Sequence, residues 1–157
     1  MTSRIFRRGA RSEAGSALVE LAVALPLLVL VLLGTTDFAR VFYTAIELTN
    51  AARAGAQYGA SSLVRSDPAY SPSMQTTAVA AVNITGVTAT ATRTCACAPD
   101  NGASFTAVAC TTTCAAGQHL VVHVTVTAAK TFSTIAAFPG IPSSIALTRT
   151  ATMPLAN

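Results

Sequence analysis

Tryptophan is absent, histidine occurs twice, and only six of the 157 residues are acidic. From residue 61 onward the only carboxylates are Asp67 and Asp100. Both stand in turn-like contexts, where Asp commonly bonds the local backbone. No carboxylate pair is available for acid–base chemistry. A G-x-S-x-G elbow, a phosphate-binding P-loop, a G-x-G-x-x-G fingerprint and an H-E-x-x-H helix are all missing. The expectation is a non-enzyme with no catalytic residue, no metal and no cofactor. Charge of either sign is scarce at 10%, and the net +4 is unevenly distributed. Arg4, Arg7, Arg8 and Arg11 face only Glu13, whereas from Ser16 onward six basic residues meet five acidic ones. With no basic patch interleaved with aromatics, nucleic acid is excluded as a partner. Internal repeats and a low-complexity tail are also absent.

Apolar side chains, by contrast, are abundant (52%) and concentrated in GSALVELAVALPLLVLVLLG, Gly15 to Gly34. Between Glu13 and Asp37 the only charge is Glu20. The nineteen residues Ser16–Gly34 span about 28 Å as a helix, close to the ~30 Å hydrocarbon core of a bilayer. The four preceding arginines orient the N-terminus to the cytoplasm and the rest of the chain outside. A secretory signal peptide fits poorly, because the apolar run is long and TTDFAR follows it in place of a small-residue cleavage site. An uncleaved signal anchor of an envelope protein, with a binding domain outside, explains length and orientation but gives Glu20 no role. A lone carboxylate at the bilayer centre costs roughly 2.5–3.5 kcal/mol, less towards the interface. A cut after Gly15 would make Ser16 a new amino terminus, and that amine on one subunit can answer Glu20 on its neighbour. Glycine also permits an extended, protease-accessible backbone at the cut.

These residues resemble a known family. A short basic leader followed by G-SALVE-LAVALP is similar to a type IV prepilin processing site. More narrowly it resembles the TadE-like pseudopilins of tight-adherence (Tad) pili, whose second block is matched by Phe38-Ala39-Arg40, Phe42-Tyr43 and Asn50-Ala51-Ala52-Arg53-Ala54-Gly55-Ala56-Gln57-Tyr58. Leu21 and Gln57 depart from the usual phenylalanine and basic residue; neither touches the cleavage chemistry. The resemblance implies a pilin-like α+β fold, in which a long N-terminal transmembrane helix precedes a small antiparallel sheet. It implies cleavage between Gly15 and Ser16 by a prepilin peptidase, and assembly with other pilins and an inner-membrane platform through Glu20. Pro26, which removes one helical hydrogen bond, would be a tolerated kink and a soft point on leaving the bilayer. The expected organisation is a leader (1–15), a transmembrane helix (16–34), its extension (35–60) and an outer α+β domain (61–157).

In the extension, Phe38, Val41, Phe42, Ala45, Leu48, Ala52 and Ala56 recur at three- and four-residue spacing and predict one apolar face. That face is expected to pack on the outer domain, and its N-terminal half also on other subunits. NAARAGAQYGA ends the helix with small residues that allow close approach. Ser61–Pro72 reads as a loop. Ser71-Pro72 predicts an N-cap and N1 for a short helix to about Val82. From Val87 the period becomes two. Val87, Ala89 and Ala91 alternate with threonines, Leu120, Val122, Val124 and Val126 alternate with Val121, His123, Thr125 and Thr127, and Ile145, Leu147 and Ala151 alternate with Thr148, Thr150 and Thr152, predicting half-buried strands with a threonine-rich outer face. A short fourth strand is expected near Phe105–Cys110, and the loop Phe138–Pro142 separates the last two long strands.

The four cysteines, Cys95, Cys97, Cys110 and Cys114, fall in one patch outside the cytoplasm, where disulfides persist. Nested pairing (Cys97–Cys110, Cys95–Cys114) would staple the hairpin; crossed pairing (Cys95–Cys110, Cys97–Cys114) is the alternative, and sequence does not decide the connectivity. Zinc is disfavoured. Only four residues separate Cys114 from His119, against the ~12 or more that a Cys2His2 site needs. His119 and His123 are read as strand residues on the sheet surface.

Overall fold

The computed structural model describes residues 10–63, 67–99, 105–135, 140 and 142–155, with side chains from Gly15 onward. Arg4, Arg7 and Arg8 of the leader, Asp100, and Phe138, Pro139 and Ile141 of the last loop lie outside this description. The chain forms two compact units, divided between Arg40 and Val41. The fold is α+β: a long apolar N-terminal helix is followed by a four-stranded antiparallel sheet.

Helix α1 runs Ala10–Ala60 with Pro26 inside it. In the first unit it is a bare apolar rod. Leu18, Val19, Leu21, Val23, Leu25 and Leu27 are each at least half exposed. The helix is long and apolar enough to cross a membrane. Alanine, leucine and glutamate favour the helix from Ala10, and one glycine costs only about 1 kcal/mol. The Gly15–Ser16 bond therefore lies within α1 rather than in extended backbone.

In the second unit the last turns of α1 lie on the sheet. Leu48, Ala51, Ala52 and Ala56 are fully buried, while Phe42 and Ile46 are well exposed. The buried stripe thus omits Phe42, which the three–four spacing had included, and takes in Thr44, Ala51, Gly55 and Gly59 instead. Phe38, in the first unit, is 69% exposed. Small residues win this face because the neighbours are close. A Cβ on Gly55 would stand 2.9 Å from the Met74 carbonyl oxygen, 3.0 Å from Ala78 Cβ and 3.1 Å from Val126 Cγ1. A Cβ on Gly59 would meet Met74 Sδ and, at 2.9 Å, Val124 Cγ1.

Those neighbours belong to helix α2 (Ser71–Ala80) and to the sheet. A 3-10 turn, Pro68–Tyr70, leads into α2; the Asp67 carboxylate accepts from Ala69 N at 2.9 Å and caps the turn. This displaces the expected helix start, because Tyr70 is the N-cap of α2. Ser71 is the first helical residue, and its hydroxyl donates to the Ala91 carbonyl at 3.1 Å, tying α2 to the sheet. Met74 and Ala78 form the buried face of α2.

The strands are β1 (Thr88–Pro99), β2 (Thr106–Val108), β3 (Gln118–Ser133) and β4 (Ser144–Pro154), in spatial order β2-β1-β3-β4. All neighbours are antiparallel. Alternation sorts the faces. Val122, Val124, Val126, Ala128 and Phe132 of β3 point inward and are buried. The core has two parts. Leu48, Ala51 and Ala52 meet Val87 and Ala128 in one. Ala56 meets Met74, Ala78, Val124 and Val126 in the other. The opposite face carries threonine in register: Thr90, Thr127 and Thr150 form one row and Thr92, Thr125 and Thr152 the next. Hydroxyls of Thr125 and Thr152 lie 2.9 Å apart, and those of Thr127 and Thr150 lie 3.0 Å apart. β4 is an edge strand, which leaves Ile145 38% exposed. Leu155 N donates to Val122 O, so by antiparallel alternation Pro154 faces outward, where its missing N–H breaks no ladder bond.

Candidate functional site: the N-terminal segment and the disulfide cluster

Two groups of residues singled out by the sequence fall in different units. Gly15, Ser16, Glu20 and Pro26 lie on α1 in the first; the cysteines lie in the second.

Ser16 and Glu20 are exposed, and a Cβ on Gly15 would meet nothing within 4 Å. Gly15, Ser16, Val19, Glu20, Val23, Ala24 and Leu27 line one shallow, open depression along the helix. This stripe places Glu20 one turn from Ser16 on the same face, as i,i+4 spacing requires. Within one chain the amine of a new terminus at Ser16 and the Glu20 carboxylate would therefore share a face, and that face is open to a neighbour. Pro26 is accommodated without ending the helix.

About two and a half turns past Pro26, the hydroxyls of Thr35 and Thr36 donate to helix carbonyls. Thr35 lies 3.0 Å from Val31 O and from Leu32 O, and Thr36 lies 2.8 Å from Leu32 O. Asp37 pairs with Arg40 at 3.0 Å. Polar groups that follow the apolar run thus hold partners on the helix itself.

At the other end of the chain, Cys95 is bonded to Cys110 and Cys97 to Cys114. This is the crossed pairing, and β2 explains it. Cys95 lies opposite Val108 and Cys97 opposite Thr106. Cys110, two residues past Val108, lies 5.1 Å (Cα–Cα) from Cys95, whereas Cys97 pairs with Thr106, four positions before Cys110. Cys97 is left for Cys114, on the segment leading from β2 to β3. The nested pairing suited a simple β1–β3 hairpin; β2 adds a strand on the far side of β1. Gly117, at φ 79°, makes the turn into β3, with Gln118 N donating to Ala115 O. With both pairs oxidised, no thiolate is offered to a metal. No group of three or more His, Cys, Asp or Glu able to hold a metal occurs among the described residues. His119 and His123 lie on β3, and the His123 ring meets Phe105 edge-on at 6.2 Å.

Arg93 was not anticipated. It lies on β1, 83% buried by its side chain, 3.7 Å from the Asp67 carboxylate. Its Nε has no hydrogen-bond partner. A lone arginine in an Ala/Thr strand was the available signal. It pins the capped turn before α2 to the sheet.

The decisive comparison concerns the first group. Residues 15–57 match the TadE-like protein family. The matched segment begins at Gly15, includes Glu20 and Pro26, and ends within the NAARAGAQY block. No curated protein and no solved structure matches the chain. The outer sheet therefore stands on its own geometry.

Proposed function

We propose that this chain is a minor pilin or pseudopilin of a Tad-type, type IV-like pilus. The observation that carries this reading is the TadE-like match over residues 15–57, on a helix whose apolar side chains are exposed rather than spent on a fold. A helix apolar all round and unburied belongs in lipid or in an assembly of like helices. The leader arginines keep the N-terminus in the cytoplasm and put the sheet domain outside, where the disulfides persist. A prepilin peptidase cuts after Gly15. Because that bond lies in a helix, the peptidase must locally unwind it; glycine lowers the cost of doing so. The new Ser16 amine then pairs with Glu20 of an adjacent pilin. This satisfies a carboxylate that an apolar assembly of helices would penalise and fixes the axial register of the subunits. The assembly platform draws the subunit into or beneath the filament, which serves surface adherence.

The test is a strain lacking this chain, complemented with wild type or Glu20→Ala. Wild type should restore pili and adherence. Glu20→Ala should insert in the membrane at normal level but fail to co-purify with the other pilins. Full piliation without the chain would sink the proposal, and undiminished co-purification of Glu20→Ala would remove the pairing role.

A further inference from the structure

The membrane reading leaves open where along α1 the bilayer begins and ends. Composition alone centres the hydrocarbon on Ser16–Gly34. That register buries Glu20 unpaired about 6 Å inside the inner boundary, at ~1.5 Å per residue. It also leaves Phe38, Phe42 and Tyr43 standing in water, exposed by 69%, 63% and 53%.

The structure shows why a deeper register is accessible. Beyond Gly34 the helix carries polar side chains that have already met the demand lipid makes, namely that each donor and acceptor find a partner within the protein. Thr35 and Thr36 hand their hydroxyl protons to carbonyls one turn back. Asp37 holds Arg40 on the next turn, so the carboxylate and the guanidinium neutralise one another at the outer end of the stretch. The following turn, already in the second unit, presents Phe42 and Tyr43, and tyrosine is a side chain of the kind that gathers at the membrane–water boundary.

We infer that the hydrocarbon-embedded stretch is Leu21–Arg40, with Glu20 among the inner headgroups and Phe42 and Tyr43 among the outer ones. This rests on the membrane-anchored reading proposed above and places the helix within it. The twenty residues from Leu21 to Arg40 measure about 30 Å, the thickness of the hydrocarbon core. The register also carries the Gly15–Ser16 bond about 9 Å clear of the inner boundary, where a peptidase can unwind it in water. Before assembly, Glu20 is then hydrated; its partner is needed only when the helix is lifted from the membrane.

The chain lacks tryptophan, so single reporters are unambiguous. Leu25→Trp, Leu30→Trp, Phe38→Trp and Phe42→Trp, each in the full chain, would be reconstituted in phosphatidylcholine–phosphatidylglycerol vesicles. Lipids brominated near the chain ends or near the carbonyls then report depth. Leu25 and Leu30 are both exposed on the helix, so substitution there disturbs no packing. The proposed centre lies about 8 Å further along the helix than the compositional one. Deep bromines should quench Leu30→Trp more than Leu25→Trp, and shallow bromines should quench Phe42→Trp. The reverse order, with Phe42→Trp unquenched and emitting as in water, would overturn this register while leaving the anchor intact. Absence of quenching at all four positions would overturn the anchor as well.

Discussion

Gly55→Ala offers a quantitative test of how α1 meets the outer domain. The added methyl would lie 2.9 Å from the Met74 carbonyl oxygen, 3.0 Å from Ala78 Cβ and 3.1 Å from Val126 Cγ1. The nearest of these is backbone, the second a Cβ fixed to α2, the third a β-branched side chain in the sheet. None is the free end of a flexible chain, so relief requires α2 and β3 to move. Overpacking of this kind costs about 1–3 kcal/mol. Opposing it, alanine is better than glycine in a helix by about 0.8–1 kcal/mol. With two separate elements to displace, the upper part of the first range applies, and a net loss of about 1–2 kcal/mol follows. For a domain of this size that is a fall in Tm of about 4–8 °C. Thermal unfolding of the detergent-solubilised chain, followed by tyrosine fluorescence or protease resistance, measures it. Gln57→Ala, on the exposed side of the same turns, serves as control and should change little. A Gly55→Ala protein more stable than wild type would show that only helix propensity had changed and that the close approach does not exist.

Two further outcomes concern the rest of the outer domain. Peptide mapping without reduction should recover Cys95 linked to Cys110 and Cys97 linked to Cys114; removing either bridge as a Ser pair should cost roughly 3 kcal/mol, as expected for loops of 15 and 17 residues, and nested linkages would contradict the β2 register. Asp67→Asn keeps an acceptor for Ala69 but drops the charge facing Arg93, whereas Asp67→Ala loses both. Stability measured by denaturant titration should therefore fall in the order Asp, Asn, Ala, by about 1 kcal/mol at the last step, and equal stability of all three would remove the clamp.

Much of the fold is legible in the sequence because its signals are periodic. Alternation along Leu120–Val126 marked the inward face of β3, and the run from Gly15 marked a helix that no core claims. The threonine rows follow from the same alternation. What escaped was set by close packing and by register. By spacing Phe38 and Phe42 share the apolar face, yet both are exposed; nearer the end of α1, where the small residues of NAARAGAQYGA allow close approach, Gly55 and Gly59 are held against α2 and β3. Ser71 looks like a cap but bonds Ala91, a partner visible only once β1 lies beside α2. The cysteine pairing depended on a three-residue strand whose register no local pattern reveals. At the N-terminal segment the converse holds: Gly15, Glu20 and Pro26 stand out by motif alone, and the structure adds that the Gly15–Ser16 bond is helical and that Glu20 shares its face with Ser16.

The central claim is that this chain is a processed pilin subunit, and the mass of its mature N-terminus tests it most directly. Protein recovered from membranes of cells that contain the prepilin peptidase should begin at Ser16. Loss of the peptidase, or replacement of Gly15 by a bulky residue, should leave the leader attached and keep the protein out of filaments. A chain that retains Met1 in the presence of the peptidase, at full membrane yield, would contradict the account and leave a signal-anchored envelope protein in its place.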